Sequence, residues 1–252
     1  ASTGGMTWIK RRDGTERNIV VDSARGVTRA LYTELEDDED NFSSGDVVHS
    51  YLSNGYRIGN NAYVNSNTNT FVGWSWAKKE GWFDVQTWTG NGSNPRTINH
   101  SLGCVPGMIW VKRRSGSAHW YVYHRATYNS SASGQRLYLN NDSARSDGKF
   151  PSAPTATTIT VDANDDVNGN GSTYVAYFFA GGFYPPGSNT TSVRFASGAH
   201  LTLASHSDLG MGTGDFTLEA WVWSSAWSSY SAIWDQDADG MSLVMSGSSL
   251  RF

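Results

Sequence analysis

The sequence predicts an all-β protein: two tandem β-sandwich repeats, then part of a third sandwich. Two observations carry this. Met108-Ile109-Trp110-Val111-Lys112-Arg113-Arg114 is a near copy of Met6-Thr7-Trp8-Ile9-Lys10-Arg11-Arg12, 102 residues on. Thr173-Tyr174-Val175-Ala176-Tyr177-Phe178-Phe179-Ala180 echoes Thr70-Phe71-Val72-Gly73-Trp74-Ser75-Trp76-Ala77, 103 residues on. Matched segments in one order at nearly one spacing mark an internal repeat. The composition agrees. With 27 Gly, 11 Trp, 12 Tyr and only 17% charged residues, the chain is built for aromatics on pleated surfaces and Gly/Asn turns.

In chain order, Met6 to Arg12 is the first strand, with Met6, Trp8 and Lys10 on one face and Thr7 and Ile9 on the other. Asp13-Gly14 ends it. Asn18 to Asp22 is a second strand, Ser23 to Gly26 a turn or one helical turn, and Leu31-Tyr32 the start of a third strand matching Leu137-Tyr138. Glu34 to Asp40 carries six acidic residues and reads as a solvated loop, or more sharply as a cation or partner patch. Val47 to Leu52 and Gly55 to Ile58 are short strands, Asn60 to Asn69 a polar loop. Phe71 to Ala77 alternates, with Val72, Trp74 and Trp76 on one side.

Lys78 to Trp82 joins the copies. The second contributes Phe83 to Trp88, Arg96 to His100, Met108 to Arg114, Trp120 to Tyr123, Leu137 to Leu139, Thr157 to Val161 and Thr173 to Ala180. No window keeps a 3.6 period for three turns, so no long helix is expected. The first copy lacks a counterpart of Phe83 to Val105; either an upstream segment is missing or another chain supplies those strands. The boundaries are then 1–82, 83–182, a Gly/Pro linker at 183–190 and a partial domain at 191–252.

The net charge of −4 offers no basic surface for nucleic acid. Cys104 is the only cysteine, so no intramolecular disulfide forms, and its neighbours Leu102 and Val105 suit a core thiol. No apolar run reaches the ~20 residues of a membrane helix. The start, Ala1-Ser2-Thr3-Gly4-Gly5, is neither a signal peptide nor an initiating Met, as expected of a processed or partial product.

No paired carboxylates and no G-x-S-x-G elbow stand out, so the chain reads as non-enzymatic with no catalytic residues. His100 reads as satisfied within its turn. Asp235, Asp237 and Asp239 with Gly240 fit the first half of a calcium loop, but position twelve is Ser246 where a bidentate Glu belongs. Calcium is the one cofactor candidate, against a plain acidic hairpin. Trp82, Trp88, Trp120, Tyr121 and Tyr123 are candidates for stacking on sugar rings. Trp120 leads, because the polar turn Ser115 to His119 should leave it near a loop tip. The basic triplets Lys10-Arg11-Arg12 and Lys112-Arg113-Arg114 suit anionic glycans or, more cheaply, the acidic loop Glu34 to Asp40.

Ser192-Val193-Arg194-Phe195, His200-Leu201-Thr202-Leu203 and above all Gly212-Thr213-Gly214-Asp215-Phe216-Thr217-Leu218-Glu219-Ala220-Trp221-Val222 resemble the front of a laminin-G-like, concanavalin A-like lectin domain. That resemblance implies a partial jelly-roll sandwich at the end of the chain. The earlier copies resemble repeats of phage tail-fibre and other virion proteins, notably of phages of marine cyanobacteria. The carrying residues are Thr87 to Gly92, Ile98 to Gly103, Pro106 to Arg114 and Tyr123-His124-Arg125, with Trp8 to Arg11, Asp22 to Gly26 and Ser53 to Tyr56 in the first copy. This second resemblance implies a virion protein, made in the host cytoplasm and joined to other virion subunits as a homo-oligomer (a trimer, by analogy with phage fibres). It would present a face to host-surface polysaccharide or, alternatively, act as an adaptor or decoration protein without receptor contact. Neither nucleic acid nor membrane insertion is expected.

Overall fold

Alternation along the chain builds antiparallel strands throughout. The computed structural model describes residues 4–128 and 135–181 and three strands further on. The chain divides into two compact units, Ala1–Gly182 and Phe183–Phe252. Residues 183–190, read from the sequence as a linker, lie outside the described residues.

In the first unit the strands are β1 (Gly5–Arg11), β2 (Ile19–Asp22), β3 (Gly26–Tyr32), β4 (Asp40–Asn41), β5 (Val48–Leu52), β6 (Gly55–Ile58) and β7 (Phe71–Ala77). The second repeat supplies β8 (Phe83–Thr89), β9 (Arg96–Asn99), β10 (Pro106–Arg113), β11 (Tyr121–His124), β12 (Gln135–Tyr138), β13 (Ser146–Asp147), β14 (Thr158–Val161) and β15 (Thr173–Ala180). Two one-turn helices, α1 (Ala62–Asn65) and α2 (Asp165–Asn168), precede β7 and β15.

The sheet orders make the repeat explicit. The first repeat forms β4-β3-β2-β1-β7; the second forms β13-β12-β11-β10-β15-β8, the same order plus one strand. Register repeats as well: Met6 faces Trp76 in the first ladder, and Met108 faces Phe179 in the second. The helices repeat too, each capped by an Asn that accepts a backbone N–H: Asn61 from Tyr63 and Asn164 from Asp166. Each plants one valine inward, Val64 and Val167. The first falls in the segment read from the sequence as a polar loop, because four residues cannot establish a helical period.

The third strand is a further difference. Leu31-Tyr32 ends β3 rather than opening it. Asp22 Oδ1 accepts from Ala24 and Arg25 N–H at 2.9 and 2.8 Å, closing a tight turn, and Gly26 at φ +98° leaves it straight into β3.

The repeats are not separate sandwiches. Met6, Val20 and Leu31 of the first sheet share one buried cluster with Phe83, Val85, Trp110, Trp120, Val122, Val175 and Tyr177 of the second. The two main sheets therefore pack face to face. The outer face of the first is covered by the β5–β6 hairpin and α1, where Val48 and Val64 join Ile9, Ile19 and Val21. The outer face of the second is covered by the β9–β14 pair and α2, where Ile98, Ile159 and Val167 join Ile109, Val111 and Phe178. Alternation explains the division: Trp8 turns toward the shared core, while Ile9 turns to the outer layer.

The second unit is described through three strands: β16 (Ser231–Asp235), β17 (Ser242–Ser246) and β18 (Ser249–Arg251), an antiparallel meander. The Ser192–Phe195, His200–Leu203 and Gly212–Val222 segments lie outside the described residues.

Candidate functional site

The most heavily built polar site is the seam between the repeats. It starts from the turn after β2. Asp22 is fully buried; its Oδ2 receives Arg25 Nε at 2.5 Å and the Tyr177 hydroxyl of β15 at 2.7 Å. Arg25 also donates through Nη1 to Glu39 at 3.0 Å and through Nη2 to the Val20 carbonyl at 3.0 Å. Glu39 in turn takes both Nε and Nη2 of Arg114, each at 2.9 Å. Asp22, Arg25, Glu39 and Arg114 thus form an alternating, charge-balanced chain that crosses from the first repeat to the second.

The electrostatics follow. Burial opposes the Arg25 charge, but the carboxylates of Asp22 and Glu39 outweigh it and raise its pKa. Burial works upward on Glu39, yet Arg114 and Arg25 hold it below the usual carboxylate value. Burial drives the Tyr177 hydroxyl well above its ordinary value, so it stays a proton donor to Asp22.

Backbone contacts extend the seam. Glu39 N–H donates to the Arg114 carbonyl and Ala118 N–H to the Glu36 carbonyl, each at 2.9 Å. Lys112 is fully buried, with Nζ donating to the carbonyls of Glu36 and Arg113 at 3.0 Å. Burial lowers its pKa to about 8 against the pull of Asp38, Asp37 and Glu36. The acidic loop is therefore not simply solvated. Its middle, Glu36 to Asp38, is exposed, but the loop pairs with the second basic triplet, as the cheaper reading of the triplets had it. The first triplet does not join: Lys10 donates to the Glu16 carbonyl, and Arg11 pairs with Asp13 and Glu16.

The sugar-stacking candidates are mostly corrected. Trp120 is 0% exposed, stacked on Tyr177 at 6.1 Å, and donates Nε1–H to the Tyr32 carbonyl at 2.8 Å. Tyr121, Tyr123 and Trp88 are buried as well, at 4, 3 and 8%. The Tyr121 hydroxyl donates to Asp166, and Trp88 stacks on Tyr174 and donates to the Val167 carbonyl. The polar turn before Trp120 does not expose it because the first repeat lies against that surface. Trp82, at 56%, remains open, and Trp74, not singled out from the sequence, is 45% exposed.

Of the calcium candidates, Asp237 and Asp239 lie outside the described residues and Asp235 is described only as the end of β16. Among the described residues no three His, Cys, Asp or Glu side chains are grouped to hold a metal. His100 Nδ1 accepts from Leu102 N–H at 3.3 Å within its turn, and its ring packs on Phe178. Cys104 packs against the second repeat's core, and burial raises its thiol.

Sequence reading missed Asp22, Arg25, Glu39 and Tyr177 as one site. They span 155 positions, and the only local signal was the Asp-Ser-Ala-Arg turn. Asp142-Ser143-Ala144-Arg145 repeats those letters yet lies between β12 and β13, where Arg145 merely donates to the Thr127 carbonyl.

Residues 2–193 match the family described as a domain of unknown function, DUF7483. The chain belongs to this family. The DUF7483 match takes in both repeats, which share one core. No curated protein and no solved structure matches the chain.

Proposed function

We propose that the chain is a structural protein of a bacteriophage virion, tail fibre or tail-associated, whose two repeats form one rigid, non-enzymatic assembly module. The observation that carries this is the seam, in which four charged groups and a Trp–carbonyl bond hold the repeats in one arrangement. Such a joint suits an element that transmits force or spacing. The likeness of the Trp8–Arg11 and Pro106–Arg114 strands to virion repeats supplies the setting. Burial of Trp88, Trp120, Tyr121 and Tyr123 favours the adaptor role over glycan binding at those residues.

Receptor contact is the second reading. It keeps one specific support, the exposed indole of Trp82. The deciding experiment is binding of the purified, labelled chain to intact marine cyanobacteria, with their extracted polysaccharide as competitor. Saturable, competable binding that Trp82→Ala abolishes establishes receptor contact. Absence of binding by folded, native oligomer establishes the adaptor role. Virion membership is tested separately, by probing purified phage particles with an antibody to the chain.

A further inference from the structure

The repeat equivalence exposes an asymmetry. In the second sheet β15 is an inner strand, bonded to β10 on one side and to β8 on the other. Its counterpart β7 is bonded to β1 alone among the described residues. Side-chain burial follows: residues Tyr174 to Phe178 are buried, whereas Gly73, Trp74 and Ser75 are exposed.

Hydrogen-bond parity fixes which backbone groups are open. Arg12 N–H donates to the Thr70 carbonyl and Lys78 N–H to the Gly4 carbonyl. In an antiparallel ladder alternate residues bond to the same neighbour. Thr70, Val72, Trp74, Trp76 and Lys78 therefore address β1, and Phe71, Gly73, Ser75 and Ala77 point N–H and C=O outward. In the second repeat Gly90 N–H donates to the Ser172 carbonyl and Ala180 N–H to the Trp82 carbonyl. Tyr174, Ala176, Phe178 and Ala180 thus address β8. At the 103-residue offset these are the counterparts of Phe71, Gly73, Ser75 and Ala77. The outer edge of β8 itself is closed at both ends: Lys79 pairs with Phe83, and Arg96 donates to the Thr89 carbonyl.

We propose that the β7 edge is a strand-acceptor site, filled by an antiparallel β8-type strand of a different protein, since the β8 of a second copy is already paired with its own β15. Strand addition of this kind draws affinity from main-chain bonds and specificity from alternate side chains. The second repeat shows the pattern required. Phe83 and Val85 lie opposite Phe179 and Tyr177, so the incoming strand places apolar side chains opposite Trp76 and Trp74. Trp88 stacks on Tyr174 at 5.4 Å, so a Trp three residues beyond the second apolar position stacks on Phe71. A long, exposed, aromatic edge is a liability unless it is covered, and Trp74 carries no charge to deter pairing. The inference does not depend on a virion setting.

The probe is the peptide Trp-Phe-Asp-Val-Gln-Thr-Trp-Thr-Gly, residues 82–90, added to the full chain. Amide hydrogen exchange at Phe71, Gly73, Ser75 and Ala77 is expected to slow saturably, by about tenfold or more, with little change at Val72 and Trp76. The same peptide N-methylated at alternate bonding positions should give no protection. Ser75→Pro removes an outward N–H that takes no part in the β1 ladder, so it should fold normally and lose peptide binding. No protection at saturating peptide overturns the proposal. So does protection that appears without peptide and grows with chain concentration, which assigns the edge to a second copy. Equal protection by the methylated peptide overturns it as well.

Discussion

The indole Nε1–H of Trp120 donates to the main-chain carbonyl of Tyr32 at 2.8 Å, joining two residues 88 positions apart in different repeats. The ring also stacks on Tyr177, whose hydroxyl reaches back to Asp22 of the first repeat. Trp120→Ala therefore empties a shared core. It should cost about 3–5 kcal/mol, measured by urea denaturation. Trp120→Phe keeps most of the packing and leaves the carbonyl with the Leu35 N–H alone, at 3.3 Å, for about 0.5–1.5 kcal/mol.

Because the seam is shared, the two repeats should unfold together. Fluorescence, dominated by Trp, and far-UV circular dichroism of the 1–182 unit should trace one coincident transition. Two separated transitions would return the repeats to independent domains.

Glu39→Gln removes the carboxylate that lies between Arg25 and Arg114. Breaking a buried pair leaves an uncompensated charge, so the loss should be about 3–5 kcal/mol. The sign with pH follows from the lowered pKa of Glu39. Its contribution is full above the unfolded value of 4.5 and is lost as pH falls through the lower folded value. A denaturation series from pH 6 to pH 2 should show this component, and Glu39→Gln should lack it.

Lys112 has the opposite signature. Its folded pKa of about 8 lies below the ordinary 10.5, so the native state holds the charge at a penalty below pH 8. That penalty, on the order of 3 kcal/mol, is relieved as pH rises from 8 toward 10.5. Lys112→Met should flatten this rise and leave stability at pH 7 unchanged or higher. A steeper rise in the variant would refute the assignment.

Salt should have little hold on the seam. Pairing between solvent-exposed charges loosens at high salt. The Arg25 and Glu39 side chains, however, are 0% and 7% exposed, and buried pairs are poorly screened. At about 1 M NaCl the thermal midpoint should stay within a few degrees of its low-salt value, read by differential scanning calorimetry.

Much of the fold was legible in the sequence for a physical reason. Strand character is local, set by alternation and by turn residues, and a repeat displays itself as matched letters. Phe71–Ala77 and Thr173–Ala180 fall on the residues expected. The one-turn helices escaped notice because their Asn caps and single valines are too brief a pattern to carry a period.

What the sequence by itself determined, then, was an all-β chain with two like halves and the strands of each. Only the tertiary structure decided which face of each strand meets which. An alternating strand states that two faces differ, but not whether its partner is water, its own repeat or the other one. Trp120 looked like a surface ring beside a polar turn and is the buried joint between the repeats, while Trp74, read only as one face of an alternating strand, is exposed on a strand that pairs with β1 alone among the described residues. The same holds for charge: Asp22, Arg25, Glu39 and Arg114 are ordinary polar residues in sequence, and become a site only because packing two sheets face to face removes water from between them.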